Sequence, residues 1–129
     1  MPDCRPHCKL ARMPLIALYS SAPSPASGTV HTLLSELSSL LARELGKPES
    51  YVMTNFVSRT EMTFGGSFDP ACYAEIKNIG KFKPEQTARI SSTVCDLVAQ
   101  SLHVPRSRIY IEFADATGYL WGFDGGTFG

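Results

Sequence analysis

Apolar residues recur along the chain with two different periods, and these periods predict both helices and strands. Two segments, about Gly28–Leu45 and about Pro84–Leu102, repeat apolar residues every three or four positions, which is typical of amphipathic helices. Short apolar or alternating runs around them predict four strands, at residues 13–19, 51–57, 71–79 and 108–113. The pattern therefore predicts a mixed helix and strand protein with two helices and four main strands.

The first predicted strand, Met13–Tyr19, is a continuous apolar run with a proline near its start. Proline has no N–H for a sheet ladder, so the beginning of a strand is one of the few positions that tolerate it. If the chain began at Pro14, this residue would present a secondary amine at the mouth of a buried strand. A desolvated amine loses its proton more readily than a solvated one, so Pro14 could act as a general base near neutral pH.

An internal repeat relates the two halves of the chain. Residues 33–57 align without a gap with residues 90–114, at an offset of 57 positions. The identical pairs are Ser35/Ser92, Leu40/Leu97, Ala42/Ala99, Leu45/Leu102, Pro48/Pro105, Ser50/Ser107 and Phe56/Phe113. Each half is thus a βαβ unit, and right-handed crossovers place both helices on one face of a four-stranded mixed sheet. The fold class is α+β, and the other face, too apolar for water, is expected to be buried by other subunits.

Composition and charge exclude several classes of function. The chain has 12 Lys and Arg against 12 Asp and Glu, so we expect no nucleic-acid partner. No apolar run approaches the roughly 18–20 residues of a membrane span, and residues 1–12 lack the apolar core of a secretory signal. We therefore expect a cytoplasmic protein without a membrane partner. Cys72 and Cys95 are expected to be buried, reduced thiols.

Residues 1–12 differ from the rest of the chain, since they have two prolines, mixed charges and no helical or strand period. We interpret them as an N-terminal extension, either disordered or upstream of an internal start, and residues 13–129 as the domain. Asp3, Cys4, His7 and Cys8 are followed by no second ligand pair at zinc-site spacing, so no metal site is expected.

Short motifs spread over residues 13–129 carry a family resemblance. They are Met13-Pro14, Gly46-Lys47-Pro48-x-x-Tyr51, Phe64-Gly65-Gly66-Ser67, Ile79-Gly80-Lys81, Pro105-x-x-Arg108-Ile109-Tyr110-Ile111, Asp115 and Gly122-Phe123…Thr127-Phe128. In these motifs the chain resembles the macrophage migration inhibitory factor family of the tautomerase superfamily, including its plant-type, protist-like and D-dopachrome-tautomerase-like members. The resemblance implies a barrel-like homotrimer and keto–enol tautomerisation of phenylpyruvate- or dopachrome-type substrates, without a cofactor. It also implies, from the animal members, a cytokine-like role with a receptor partner after leaderless secretion.

The resemblance assigns a role to each of several residues. Pro14 would be the N-terminal base, Lys47 the cation that receives the substrate carboxylate, and Ile79 a backbone contact. Tyr110 would come from the adjacent subunit. The apolar wall would consist of Trp121, Phe123 and Phe128. This set suits the chemistry, because removing a proton next to a carbonyl needs an uncharged amine, a cation and a dry pocket.

Each assignment has an alternative. Lys47, beside Gly46, could simply interact with the C-terminus of a helix. Tyr110 could be ordinary strand packing, and the aromatic tail, residues 118–129, could only seal an interface. Phe64-Gly65-Gly66 we interpret as structural, a tight turn between strands.

The chain also departs from the family pattern. Glu112 stands where many animal members have an asparagine, and its carboxylate would repel an anionic substrate if it pointed inward. Lys77 stands where a histidine is often found and would add positive charge to the pocket. Ala71-Cys72-Tyr73-Ala74 supplies only one thiol, which removes the support for thiol–disulfide oxidoreductase activity.

Two functions remain open at this point. The enzyme hypothesis requires Pro14 to be the first residue, because an acylated proline is an amide without a basic lone pair. The alternative is a non-catalytic, cytokine-like or partner-binding trimer that retains the pocket, especially if residues 1–12 stay attached.

Overall fold

The computed structural model describes residues 13–129, and the predicted extension, with Cys4 and Cys8, lies outside the described residues. The helices are α1 (Ser27–Leu45) and α2 (Pro84–Leu102). The strands are β1 (Leu15–Ser20), β2 (Met53–Val57), β3 (Cys72–Ile79), β4 (Ile109–Ala116), β5 (Gly122–Phe123) and β6 (Gly126–Thr127). Within this part of the chain no helix is both long and apolar enough to cross a lipid bilayer.

The main sheet has the strand order β2-β1-β3-β4. The strands β1 and β2 pair in parallel, as do β3 and β4, whereas β1 and β3 pair antiparallel in the centre. The sheet thus consists of two βαβ units side by side, as the repeat predicts. The first and last residues of α2 come 57 positions after those of α1, and β3 begins 57 positions after β1. The α+β prediction is confirmed.

The main core lies between the two helices and one face of the sheet. Side chains alternate between the two faces of a strand, so Ile16 and Leu18 of β1 and Ile76 of β3 all point towards the helices. Burying each such side chain stabilises the fold by about 1.5–3 kcal/mol. The largest fully buried side chains in this core are Ile16, Leu18, Leu33, Leu37, Leu40, Leu41, Ile76, Ile90, Val94, Val98 and Val104.

The opposite face of the sheet has no helix over it and mixes apolar with charged residues. Met53 and Tyr110 are 63% and 67% exposed on this open face. Their neighbours on it include Glu75, Lys77 and Glu112, because these alternate with residues that point into the core. The prediction that this face is too apolar for water is therefore only partly right. Most of the apolar residues in these strands point to the helices, not to the open face.

Some element boundaries differ from the prediction. A 3₁₀ turn at Glu49–Tyr51 follows Pro48, so β2 begins at Met53 rather than at residue 51. The strand β4 runs to Ala116, three residues beyond the predicted end, because it stays paired with β3 as far as Ile79. Neither the late start of β2 nor the extension of β4 is visible in the apolar pattern.

The turn predicted at residues 64–66 is confirmed. Phe64 and Ser67 exchange two backbone hydrogen bonds of 3.0 and 3.1 Å. Between them Gly65 and Gly66 have φ angles of 60° and 79°, a pair of left-handed conformations that glycine adopts at low cost. Of the two described thiols, Cys72 is buried as predicted, while Cys95 is only half-buried.

Candidate active site

Pro14 lies at the start of β1 and faces a cavity. Its carbonyl accepts a 3.0 Å hydrogen bond from the N–H of Met53, which extends the pairing of β1 with β2 by one residue. The cavity has a volume of about 260 Å³. Its lining residues are Met13, Pro14, Leu15, Ser50, Tyr51, Val52, Met53, Trp121, Gly122, Phe123 and Phe128. The structure thus brings Pro14 together with all three residues predicted for the apolar wall.

The aromatic side of the cavity is built by the C-terminal tail. The hairpin of β5 and β6 returns the chain, and the N–H of Phe128 donates to the carbonyls of Gly118 and Trp121, at 3.2 and 3.1 Å. The rings of Phe123 and Phe128 stack with centroids 5.4 Å apart, and Tyr51 meets Phe123 edge-on at 5.7 Å. These contacts hold the aromatic rings beside Pro14, and a sequence period could not predict them.

Lys47 and Ile79 meet at the same end of the sheet. The backbone N–H of Lys47 donates to Ala42 at the end of α1, at 3.0 Å. The side chain does not stop at that helix end, however, because Nζ reaches β3 and donates to the carbonyl of Ile79 at 3.2 Å. Burial of this side chain lowers the Lys47 pKa from its ordinary value. Lys47 and Ile79 therefore contact each other, although neither is among the residues that line the cavity, and their roles stay predictions.

Met13 is a residue of the site to which the sequence analysis assigned no role. It is only 6% exposed and packs with Ile79 and Phe128 in a small cluster separate from the main core. Its φ angle is 70°, a left-handed conformation that costs a non-glycine residue roughly 1–2 kcal/mol. The side chain of the residue before Pro14 thus packs in one cluster with two of the predicted substrate-binding residues.

Lys77 lies near the cavity but not in its wall. It pairs with Leu15 across β1 and β3, one residue along from Pro14, on the open face of the sheet. Its predicted contribution of positive charge to the pocket stays a prediction.

Tyr110 lies far from Pro14 of the same chain. The register pairs Tyr110 with Tyr73, and Tyr73 with Tyr19. Since Tyr19 is five residues from Pro14, the two sites are separated by roughly 17 Å along the strand direction. Within one chain the structure therefore does not bring Tyr110 into the cavity.

Glu112 is also remote from the cavity of its own chain. It lies beside Glu75 in the register, and the single O–H of Tyr73 donates to Glu112 at 2.6 Å, with an oxygen of Glu75 3.0 Å from the same hydroxyl. The hydrogen bond to Glu112 is the main cause that raises the pKa of Tyr73. The carboxylate thus has a partner on the open face and does not point towards Pro14 of this chain.

Tyr51 is a second functional candidate that the residue assignments missed. It lines the cavity and contacts Phe123. The signal was present in the sequence, because Tyr51 closes the motif that begins at Gly46 and contains Lys47.

Known proteins share both this sequence and this fold. The sequence profile of the macrophage migration inhibitory factor (MIF) family matches residues 13–129. The macrophage migration inhibitory factor homolog of Brugia malayi is 34% identical over 117 residues, which are 91% of this chain and 100% of that protein. The solved structure of the homologue from Prochlorococcus marinus is 46% identical, with a TM-score of 0.84 over 89% of this chain and 99% of that one. The MIF-like protein of Entamoeba histolytica superimposes with a TM-score of 0.83 at 28% identity, covering 90% of this chain and 99% of its own. Taken with the paired βαβ units and the tail that closes over Pro14, these likenesses show that the chain belongs to the macrophage migration inhibitory factor family.

Proposed function

We propose that residues 14–129 form a keto–enol tautomerase for small aromatic 2-keto acids such as phenylpyruvate, with the Pro14 amine as its general base. Family membership supports an isomerase of the tautomerase type in general. The observation that carries the finer proposal is the position of Pro14. It opens on an aromatic cavity, and the half-buried cation Lys47 donates to the carbonyl of Ile79, which belongs to the same small cluster as Phe128 of the cavity wall.

The chemistry follows from this arrangement. The Pro14 nitrogen takes a proton from the carbon next to the ketone, and the electron pair left behind forms the enol double bond. The carbonyl oxygen gains a proton, so atoms and electrons balance without an oxidant or reductant. Lys47 would hold the carboxylate, and the stacked pair of Phe123 and Phe128 would hold the aromatic ring and exclude water. A desolvated amine stays uncharged more easily near neutral pH, which suits a base.

The proposed site needs a second copy of the chain. Tyr110 is exposed and lies too far from Pro14 to serve the cavity of its own chain. In the proposed homotrimer, Tyr110 of one protomer enters the cavity of the next, and the open face of the sheet is covered. Oligomeric assembly is a general feature of the MIF fold, and the exposed side chains of Met53 and Val57 on β2 support it here.

A second function applies to the chain that keeps residues before Pro14. There the nitrogen is part of an amide, and the buried Met13 side chain packs in one cluster with Ile79 and Phe128. Both features disfavour catalysis, so this form would act only as a cytokine-like or receptor-binding trimer. Relatives that carry the name of the cytokine support this alternative in general terms.

The test compares two forms of the chain, the full 129 residues and a shortened chain that begins at Pro14. The shortened chain keeps every described helix and strand, and the Brugia relative consists entirely of the matching region, so it is expected to fold. We expect the shortened chain to convert phenylpyruvate between keto and enol forms with a kcat/KM about 10²–10⁴-fold above that of the full chain. Pro14→Gly in the shortened chain keeps a terminal amine with altered basicity and rigidity, so it should retain partial activity.

Sedimentation of both forms serves as the control for assembly. Equal kcat/KM values for the two forms would show that Pro14 is not the base and would leave the binding protein as the better hypothesis. Monomers at micromolar concentration would contradict the trimer.

A further inference from the structure

Arg108 makes a set of hydrogen bonds that no role assigned so far explains. It is the last residue before β4, two positions ahead of Tyr110. Its guanidinium donates to four backbone carbonyls of one loop. The acceptors are those of Phe64, Ser67, Asp69 and Pro70, at 3.1, 3.2, 2.8 and 2.9 Å respectively.

These four acceptors belong to the connection between β2 and β3. Its glycine turn brings Phe64 and Ser67 together through two backbone hydrogen bonds, and Arg108 donates to the carbonyls of both residues. A planar guanidinium presents five N–H donors in a fixed fork, so it can satisfy several carbonyls from one position. Arg108 therefore fixes the turn to the start of β4.

This glycine turn also contacts Tyr110, through the ring of Phe64. The ring of Phe64 lies between two groups, the Arg108 guanidinium with Cζ 5.2 Å from the ring centre and the Tyr110 ring at 4.9 Å. The two rings are tilted by 42°. Tyr110 is 67% exposed, so the contact with Phe64 restrains a ring that is otherwise open to solvent.

We propose that Arg108 is a positioning residue that acts through Phe64 to hold the ring of Tyr110 in the orientation needed by the active site of the neighbouring protomer. This inference rests on the proposed function, in which Tyr110 crosses the subunit interface. Arg108 itself does not touch the substrate. Its effect depends on the chain of contacts from the guanidinium to the Phe64 carbonyl and ring, and from that ring to Tyr110.

The main variant is Arg108→Lys, which keeps the positive charge but replaces the fork by a single ammonium with three donors. An ammonium cannot reach four carbonyls in the same geometry, so the turn and the Phe64 ring should shift. The matched control is Arg106→Lys, two residues earlier, because Arg106 pairs with Asp96 and donates to the carbonyl of Ser92, away from the turn. A second variant, Phe64→Leu, removes the ring contact and leaves Arg108 in place.

The first readout is the NMR signal of the Tyr110 ring, assigned by its loss in Tyr110→Phe. It is recorded without substrate, on folded protein whose assembly is checked by sedimentation. Arg108→Lys and Phe64→Leu should both shift this signal, whereas Arg106→Lys should leave it unchanged. An unchanged signal in Arg108→Lys would overturn the proposal, whatever the activity of the protein.

The second readout is activity of the shortened chain that begins at Pro14. Arg108→Lys and Phe64→Leu should each lower kcat/KM for phenylpyruvate about 10–100-fold, the scale expected when a group in the site is displaced by about 1 Å. In a Tyr110→Ala background the same changes should cause less than a twofold further loss, because they act through a ring that is no longer present.

An equal loss in both backgrounds would show that Arg108 acts through general stability and would refute the positioning role. If the wild-type shortened chain has no activity, the proposed function fails instead, and the ring signal still decides whether Arg108 holds Tyr110.

Discussion

Replacing Met13 tests whether its buried side chain stabilises the chain that keeps residues before Pro14. The side chain packs with Ile79 and Phe128 and is 6% exposed. Met13→Ala removes a methylene, the sulfur and a methyl group from this cluster. At about 0.8 kcal/mol for each buried group of methylene size, the transfer cost is about 2 kcal/mol. Incomplete closure of the remaining space raises the expected loss to about 2–3 kcal/mol.

Glycine at the same position separates packing from backbone strain. Methionine and alanine both carry a Cβ, so both have the same penalty at a φ of 70°. Glycine adopts this conformation without that penalty, so Met13→Gly should be about 1 kcal/mol more stable than Met13→Ala. This order is the reverse of the usual one, in which glycine destabilises more than alanine.

The assay is urea unfolding of the full chain, with all variants at one protein concentration because the stability of an oligomer depends on it. The control is Gln100→Ala, which shortens an exposed side chain on α2, away from the cavity and from the open face of the sheet. Its expected effect is within about 0.5 kcal/mol. A Met13→Ala chain as stable as the wild type would refute the packing argument, and a Met13→Gly chain less stable than Met13→Ala would refute the strain argument.

Two further predictions concern groups with perturbed pKa values. Lys47→Ala should raise KM for phenylpyruvate more than it lowers kcat. Because burial lowers the Lys47 pKa, the side chain loses its charge at a lower pH than an ordinary lysine, and the wild-type KM should begin to rise at that lower pH. Measuring KM from neutral to alkaline pH checks both expectations, and an unchanged KM in the variant would contradict the role of Lys47. Burial, together with the charge of Cys95, raises the pKa of Cys72 to about 12, so its thiol should not react in the folded protein at neutral pH. Reactive thiols can be counted in the wild type and in Cys72→Ala. The two proteins should give equal numbers in the native state, and the variant should give one fewer in denaturant. A difference in the native state would contradict the burial of Cys72.

The fold was predictable because its determinants are local and repeated. Each helix has a complete apolar face, and the repeat fixes the second half once the first is known. The same 57-residue offset appears in the structure at both helix ends. Where prediction was inexact, a 3₁₀ turn after Pro48 delays the start of β2, and pairing with β3 extends the end of β4.

The sequence predicted several of the residues that line the cavity, but it could not predict how they are arranged in space. Pro14 and the aromatic residues of the tail are more than 100 positions apart in the sequence, and no period connects them. Two backbone hydrogen bonds of Phe128 and the short hairpin bring the tail back over Pro14. The role of Met13 was hidden for another reason. An isolated methionine before a proline gives no sign of a left-handed backbone or of burial in a cluster with Ile79 and Phe128.

The open face of the sheet connects the remaining observations. Glu112 lies with Glu75 on this face and accepts a hydrogen bond from Tyr73. This is the residue whose negative charge would repel an anionic substrate if it pointed into the pocket. Tyr110 lies on the same face of β4, two residues before Glu112, and its ring contacts Phe64. In the proposed trimer, this carboxylate, two residues from Tyr110, would face a neighbouring protomer and not Pro14 of its own chain. In the proposed trimer, the hydrogen bond from the hydroxyl of Tyr73 therefore limits the electrostatic cost of Glu112 to an anionic substrate.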